Sequence, residues 1–276
     1  MRDHSLNYKL KRGLGVSSML FLLLFALFPI IWALILSFRP QDSLFDPIWV
    51  NPGDWSLENF GALFRSNFPL GIMNSFIAAG SATFLSMLVG VPAGFALAKS
   101  RISGKFIASW LLLLLRMAPP VGFVIPLFLI YLQIGYIDSY PGLIFAYMTL
   151  TLPLIVWLMW NSFSQLPNEL IEAAIMDGAS IKNVLLLVAL PVAKPGAISA
   201  IILGFLVAWN DFFFALVITR QDTTTATVSV MNFISYDSVD WGAIGLASIV
   251  LTLPILPFMI IANKFIVRSV TGAVKG

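Results

Sequence analysis

Two acidic settings in this chain could do work. In the first, Glu172-Ala173-Ala174-Ile175-Met176-Asp177-Gly178-Ala179 is followed by Leu190-Pro191 and Lys194-Pro195-Gly196, inside a polar island at 164–195. On a helix opened by Pro167, the residues Leu170, Ala173, Ala174 and Asp177 fall at the i, i+3, i+4, i+7 positions of one face. Two alanines there make a flat surface that another protein can approach closely. Pro167 suits a first helical turn, and Glu169 and Glu172 suit the positive N-terminal half. Gly178 can adopt the positive φ that ends the helix. Ser180 can cap a second helix holding Ile181, Val184, Leu185 and Val188, which Pro191 and Pro195 are expected to end. The residues alone leave two readings open: an interfacial helical hairpin, or a helix-turn-helix docking element.

The second setting is a pair of charges in apolar surroundings. Arg116 and Asp211 are the two ionisable residues well inside apolar runs, where a charge is costly and marks a function or a partner. Arg116 lies eleven residues past Lys105 and Asp211 fifteen past Gly196, so on helices rising 1.5 Å per residue they differ in depth by roughly 6 Å. Three roles remain open: a structural ion pair, a gate or pathway-lining pair, and direct contact with a solute. No nucleophile–base constellation appears. The single histidine, His4, sits in a basic tail, there is no cysteine, and Gly104-Lys105-Phe106 lacks the earlier glycine and the hydroxyl of a phosphate-binding loop. The chain is expected to bind no metal or nucleotide and not to be an enzyme.

The elements that position these residues are membrane helices. Only 11% of the 276 residues are charged and 59% are hydrophobic, against about 25% charged in soluble domains. Six spans are expected, at about 14–38, 71–98, 106–131, 142–163, 196–219 and 241–266, forming one all-α bundle over 1–276. The first run is too long for a signal-peptide core and has no small-x-small cleavage site, so it reads as a retained helix. Twelve Lys and Arg fall in the N-terminal tail, 99–105, 164–195 and the C-terminal end; Arg39, Arg65 and Arg220 fall on the other side. That asymmetry places both termini and the 164–195 island in the cytoplasm, and it accounts for the net charge of +3 without nucleic acid. Eight acids and Trp49, Trp55 and Trp241 lie on the outer side. There, Leu57, Phe60 and Phe64 share a face after Ser56, a helix suited to lie on the outer surface or to receive an extracytoplasmic partner. Pro119-Pro120 marks the third span as the best candidate for a break lining a pathway.

The Glu-Ala-Ala-x-x-x-Gly spacing with its downstream Leu-Pro resembles the EAA loop of bacterial ABC importer permeases. The resemblance extends along the chain through Asn74-Ser75, Pro141-Gly142-Leu143-Ile144, Trp209-Asn210-Asp211-Phe212, Trp241-Gly242 and Thr271-Gly272-Ala273-Val274-Lys275-Gly276. Together these resemble the carbohydrate-uptake branch, the smaller permease of the maltose type. Many relatives have Glu where this chain has Asp211. The resemblance implies a type I ABC importer permease fold in a bacterial inner membrane. It implies a second homologous permease, two ATPase subunits that carry ATP and Mg, an extracytoplasmic solute-binding protein and a small carbohydrate. It further implies ATPase coupling through Glu172, Ala173, Ala174, Asp177, Gly178 and Ala179, and a tail with Thr271, Gly272 and Lys275 that reaches the ATPase. Trp209 and Asn210 join Arg116 and Asp211 as pathway candidates. A polyol, glycerol phosphate or another small solute stands as an alternative cargo. A secondary carrier using Asp211 as its ion site stands as a rival class, although the 164–195 island has no place in such a carrier and no internal inverted repeat is evident.

Overall fold

The computed structural model describes residues 2–44, 46, 55–100, 104, 107, 110–111, 114, 119–258 and 260. In chain order its principal helices are α1 (Arg2–Ser37), α2 (Glu58–Arg65), α3 (Phe68–Lys99), α4 (Pro120–Ile134), α5 (Tyr140–Ser164), α6 (Asn168–Met176), α7 (Ile181–Val192), α8 (Lys194–Trp209), α9 (Phe213–Ile218), α10 (Ala226–Ser229) and α11 (Trp241–Thr252). Among the described residues the only extended pairing is an isolated bridge between Ile234 and Val239. The residues group into two compact units, 1–67 with 232–252, and 68–231 with 253–276.

In the first unit, α1 packs against α11. A Cβ added at Gly245 would come within 2.8 Å of the Ala33 carbonyl oxygen, so glycine lets the two backbones approach. The end of α1 is closed by Asn59 of α2, whose buried Nδ2 donates to the Ser37 and Arg39 carbonyls at 3.1 and 2.8 Å. Ser56, one residue before Leu57, the N-cap of α2, accepts the Glu58 N–H at 3.0 Å. The helix buries Asn59 and Leu63 and leaves Leu57 and Phe64 exposed, which is the amphipathic character expected from the sequence. Asp240 caps α11 through the Ala243 N–H at 2.9 Å.

The second unit is built on α3 and α5, with α8 packed on both. Gly90-x-x-x-Gly94 on α3 sets the spacing: a Cβ at Gly94 would lie 2.7 Å from both the Met159 Cβ and the Trp160 backbone nitrogen. Such a small-residue seam suits membrane helices, which associate by close packing rather than by escape from water. Ser86 and Thr151, both fully buried, share a hydrogen bond of 2.7 Å across the same interface.

Among the described residues, four helical stretches are long and apolar enough to cross a membrane: Gly13–Ser37, Phe68–Lys99, Tyr140–Ser164 and Trp241–Phe258. Of the expected 106–131 span, residues 106, 108–109, 112–113 and 115–118 lie outside the described residues. Its second half is α4, which begins at Pro120 after an extended Pro119 (φ −65°, ψ 133°), so a helix does start at the proline pair. The expected 196–219 span is not one helix. It runs as α8 to Trp209, breaks, and resumes as α9, because Asp211 offers its carboxylate to the backbone in place of helix continuity.

Replacing Gly94 with alanine is expected to destabilise the purified protein by about 1–3 kcal/mol, because the new methyl meets backbone that cannot move aside. Gly80→Ala, where nothing lies within 4 Å of the added carbon, is expected to be near neutral. Thermal melting in detergent compares the two.

Candidate functional site

The 164–195 island forms α6, a tight turn and α7. Pro167 is the extended residue before α6 (φ −58°, ψ 139°). Gly178 has φ +82°, the left-handed value that a Cβ disfavours. Its N–H reaches the Ile175 carbonyl at 2.9 Å, and the Ala179 N–H reaches the Ala174 carbonyl at 3.0 Å, so carbonyls at the end of α6 are satisfied at the turn. Ser180 then caps α7, accepting the Asn183 N–H at 3.4 Å.

Two details differ from the sequence expectation. Pro191 does not end the second helix. Val184–Ala189 is wound as a π-helix, in which the Leu190 N–H donates to the Leu185 carbonyl, and the helix continues through Pro191 to Val192. Widening the turn ahead of the proline absorbs its missing N–H and its ring. α7 then meets α8 at 83°, with Pro195 in the first turn of α8. The second difference is the face of α6. Leu170, Ala173, Ala174 and Asp177 do not act as one free surface: Leu170 and Ala174 are half-buried, while Ala173 and Asp177 are exposed. The buried anchor is Ile171, in a cluster with Phe95, Phe163, Val184 and Ala189. What the loop presents outward is Glu172, Ala173, Asp177 and Gly178, with Ala179 half-buried beside them.

The loop is fastened to the membrane helices by Lys99 at the end of α3. Its ammonium donates to the Leu166 carbonyl at 2.5 Å and to Asn168 Oδ1 at 2.9 Å. α6 is thereby joined to α3 and, through the cluster, to α5 and α8.

The second setting is the break between α8 and α9. Trp209 is buried, with its ring 4.6 Å from Phe76 and 5.5 Å from Phe205. Asn210 is exposed and bonds back to the Leu206 carbonyl at 2.8 Å. Asp211 Oδ2 accepts the Phe214 and Ala215 N–H groups at 3.1 and 3.3 Å. Thr227 donates to the Asp211 carbonyl at 2.8 Å. The Asp211 carboxyl therefore sits at the N-terminus of α9, where it takes up N–H groups that the helix leaves free. Arg116, and the tail residues Thr271, Gly272 and Lys275, lie outside the described residues.

The sequence singles out Asn74-Ser75 for their resemblance alone and gives no role to these residues or to Asp138, which together hold the loop after α9. Asp138 has φ +52°, a conformation aspartate tolerates better than most residues. Its carboxylate accepts backbone N–H groups of Arg220, Gln221, Asp222 and Thr223 at 2.9 to 3.1 Å, and the Thr223 hydroxyl at 2.8 Å. Beside it, Asn74 donates to the Asp222 and Thr224 carbonyls at 3.0 and 2.9 Å and accepts from the Tyr140 hydroxyl at 2.7 Å. Ser75 accepts the Ala226 N–H at 2.9 Å. Burial pushes the Asp138 carboxyl up, but the four backbone donors outweigh it and hold the group well below the usual carboxylate range.

The same chain matches the family model described as "Binding-protein-dependent transport system inner membrane component" over residues 90–272. It is 35% identical over 257 residues to the trehalose transport system permease protein SugB of Mycobacterium tuberculosis, covering 91% of this chain and 93% of that one. It is 31% identical over 274 residues to the trehalose/maltose transport system permease protein MalG of Thermococcus litoralis, covering 97% and 98%. The fold is similar to a chain in the crystal structure of a bacterial ABC transporter involved in the import of the acidic polysaccharide alginate, with TM-score 0.76 and 21% identity over 92% of this chain and 96% of that one.

Because the folded-state pKa of Asp138 is depressed, its contribution to stability is fully present above the unfolded value of about 3.9 and is lost only as pH falls below it. Asp138→Asn is therefore expected to melt lower than the parent by a constant margin from pH 8 to pH 5. That margin should shrink only below about pH 4. Leaving loop N–H groups without their acceptor costs about 1–3 kcal/mol, at the low end here because water reaches the loop.

Proposed function

The chain belongs to the family of inner membrane components of binding-protein-dependent transport systems, and on that premise we propose that its cargo is a small carbohydrate. It is a multi-pass permease subunit of an ABC importer and not an enzyme; ATP hydrolysis belongs to a separate ATPase. The trehalose, trehalose/maltose and diacetylchitobiose systems among its relatives support a carbohydrate over a polyol or glycerol phosphate. The chain works with a solute-binding protein and an ATPase. In the finer reading it forms half of the pathway with a second homologous permease, and two ATPase subunits hold the ATP and Mg. The Asp211 carboxylate caps α9, which gives it a role that an ion-coupled carrier would not require.

One observation carries the coupling reading. The family match spans a loop whose Glu172, Ala173, Asp177 and Gly178 are exposed while Ile171 and Lys99 tie it to the membrane helices. A surface held rigidly to α3 yet facing outward suits a partner that delivers motion. Glu172 is assigned to a basic patch on the ATPase, and the tail residues Thr271, Gly272 and Lys275 to the same subunit. Both termini and the 164–195 loop are assigned to the cytoplasm from the distribution of Lys and Arg. On the outer side, the exposed α2 face at Leu57 and Phe64 and the hairpin carrying the fully exposed Tyr236 offer surface to the solute-binding protein.

Glu172→Lys replaces attraction by repulsion and is expected to abolish sugar uptake in cells while the protein still inserts in the membrane; normal uptake would remove the residue from the coupling surface. Orientation is read separately. Because the chain has no cysteine, Ser180→Cys should resist an impermeant thiol reagent in whole cells and Asp222→Cys should react. The reverse pattern would invert the topology.

A further inference from the structure

A groove of about 550 Å³ runs between the last turns of α3 and the loop helices α6 and α7. Its walls are apolar, with Phe95, Ile171, Ile175 and Leu185 among them, and Lys99 and Lys182 stand at its edge. We infer that this groove binds one phospholipid of single negative charge from the cytoplasmic leaflet, with an acyl chain along the apolar wall and the phosphate on the two lysines. The inference rests on the cytoplasmic placement of the loop proposed above.

Three observations carry it. The first is position. The groove follows the last turns of α3, a helix long and apolar enough to cross a membrane, so its apolar wall is continuous with a membrane-spanning surface. The second is shape and composition: pockets of about 300–1,000 Å³ with apolar walls and a few placed polar groups are ligand sites, and basic pockets between membrane helices on the cytoplasmic side take phospholipid headgroups. The third is charge. Lys99 uses two of its three donors on Leu166 and Asn168, which leaves one N–H for a ligand. Lys182 is exposed. The lining holds these two cations and no carboxylate, which suits an anionic phosphodiester, as in phosphatidylglycerol, over a zwitterionic headgroup whose ammonium the lysines would repel.

A lipid seated there would fill the space between α3 and the coupling helices and stiffen the link between them. The test uses the assembled transporter, with its partner permease and ATPase subunits, released gently from nanodiscs of phosphatidylglycerol and phosphatidylethanolamine into native mass spectrometry. The parent is expected to retain one phosphatidylglycerol per copy of this chain that Lys182→Gln loses and Lys182→Arg keeps. Ala96→Trp, which fills the groove from α3, should lose it too. Since the tryptophan could impair folding, its melting temperature is measured alongside, and Lys182→Gln carries the result if it melts early. An unchanged lipid count in Lys182→Gln overturns the inference, as does equal retention of phosphatidylethanolamine, or crosslinking of Ala96→Cys to the ATPase subunit in place of lipid. Thiol labelling at position 180 reports the orientation independently, so a wrongly oriented loop and an empty groove give different results.

Discussion

Lipid supplies no hydrogen-bond partner, so a peptide group released from a helix inside the hydrocarbon must be satisfied from within the protein. The same device, a polar side chain that takes up freed backbone groups, recurs at helix ends throughout this chain. Where α8 stops, Asp211 takes up the first N–H groups of α9 and Thr227 takes up the Asp211 carbonyl. Where the chain turns back after α9, Asp138 gathers four consecutive N–H groups and Asn74 covers two carbonyls. At the end of α1, Asn59 does the same for Ser37 and Arg39. Each polar side chain sits where a helix ends, and each permits a break that an unassisted backbone could not hold.

The rest of the second unit is closely packed. With Gly90 and Gly94 pressed on α5 and Gly204 on Ile155, α3, α5 and α8 have little room to slide. Interfaces packed this closely move between discrete arrangements more readily than they deform. The loop is joined to that body by two unlike links, the Lys99 hydrogen bonds and the apolar cluster around Ile171 and Phe163. The outward residues Glu172, Ala173 and Asp177 remain free of both. This division, one face fixed to the body and the other open, is what a coupling element needs.

Local chemistry was legible in the sequence, and distant chemistry was not. The Gly178 turn and the Ser180 cap depend on residues within a few positions of one another, and both are present. The face of α6 is legible only partly, because a helical wheel locates a stripe without saying which edge meets the core: Ala173 and Asp177 face outward, while Ala174 packs on the cluster around Ile171. Pro191 was read as a stop because proline removes an N–H, but the π-helical turn before it removes the need for that bond. Asp138 and Asn74 could not be found by spacing, since their partners lie some 80 to 150 positions away. The positive φ at Asp138 leaves no mark in composition. Asp211 was noticed for its charge, and its partners proved to be backbone N–H groups of its own next helix.

The central claim is that motion enters this chain through the outward face of α6. The most direct measurement is crosslinking from Ala173→Cys, in a chain with no other thiol, to single cysteines placed around the cleft of the ATPase subunit in membrane vesicles. The account predicts an efficient crosslink that changes with ATP and with the loaded solute-binding protein. No crosslink at any cleft position, in vesicles that still transport, would contradict it.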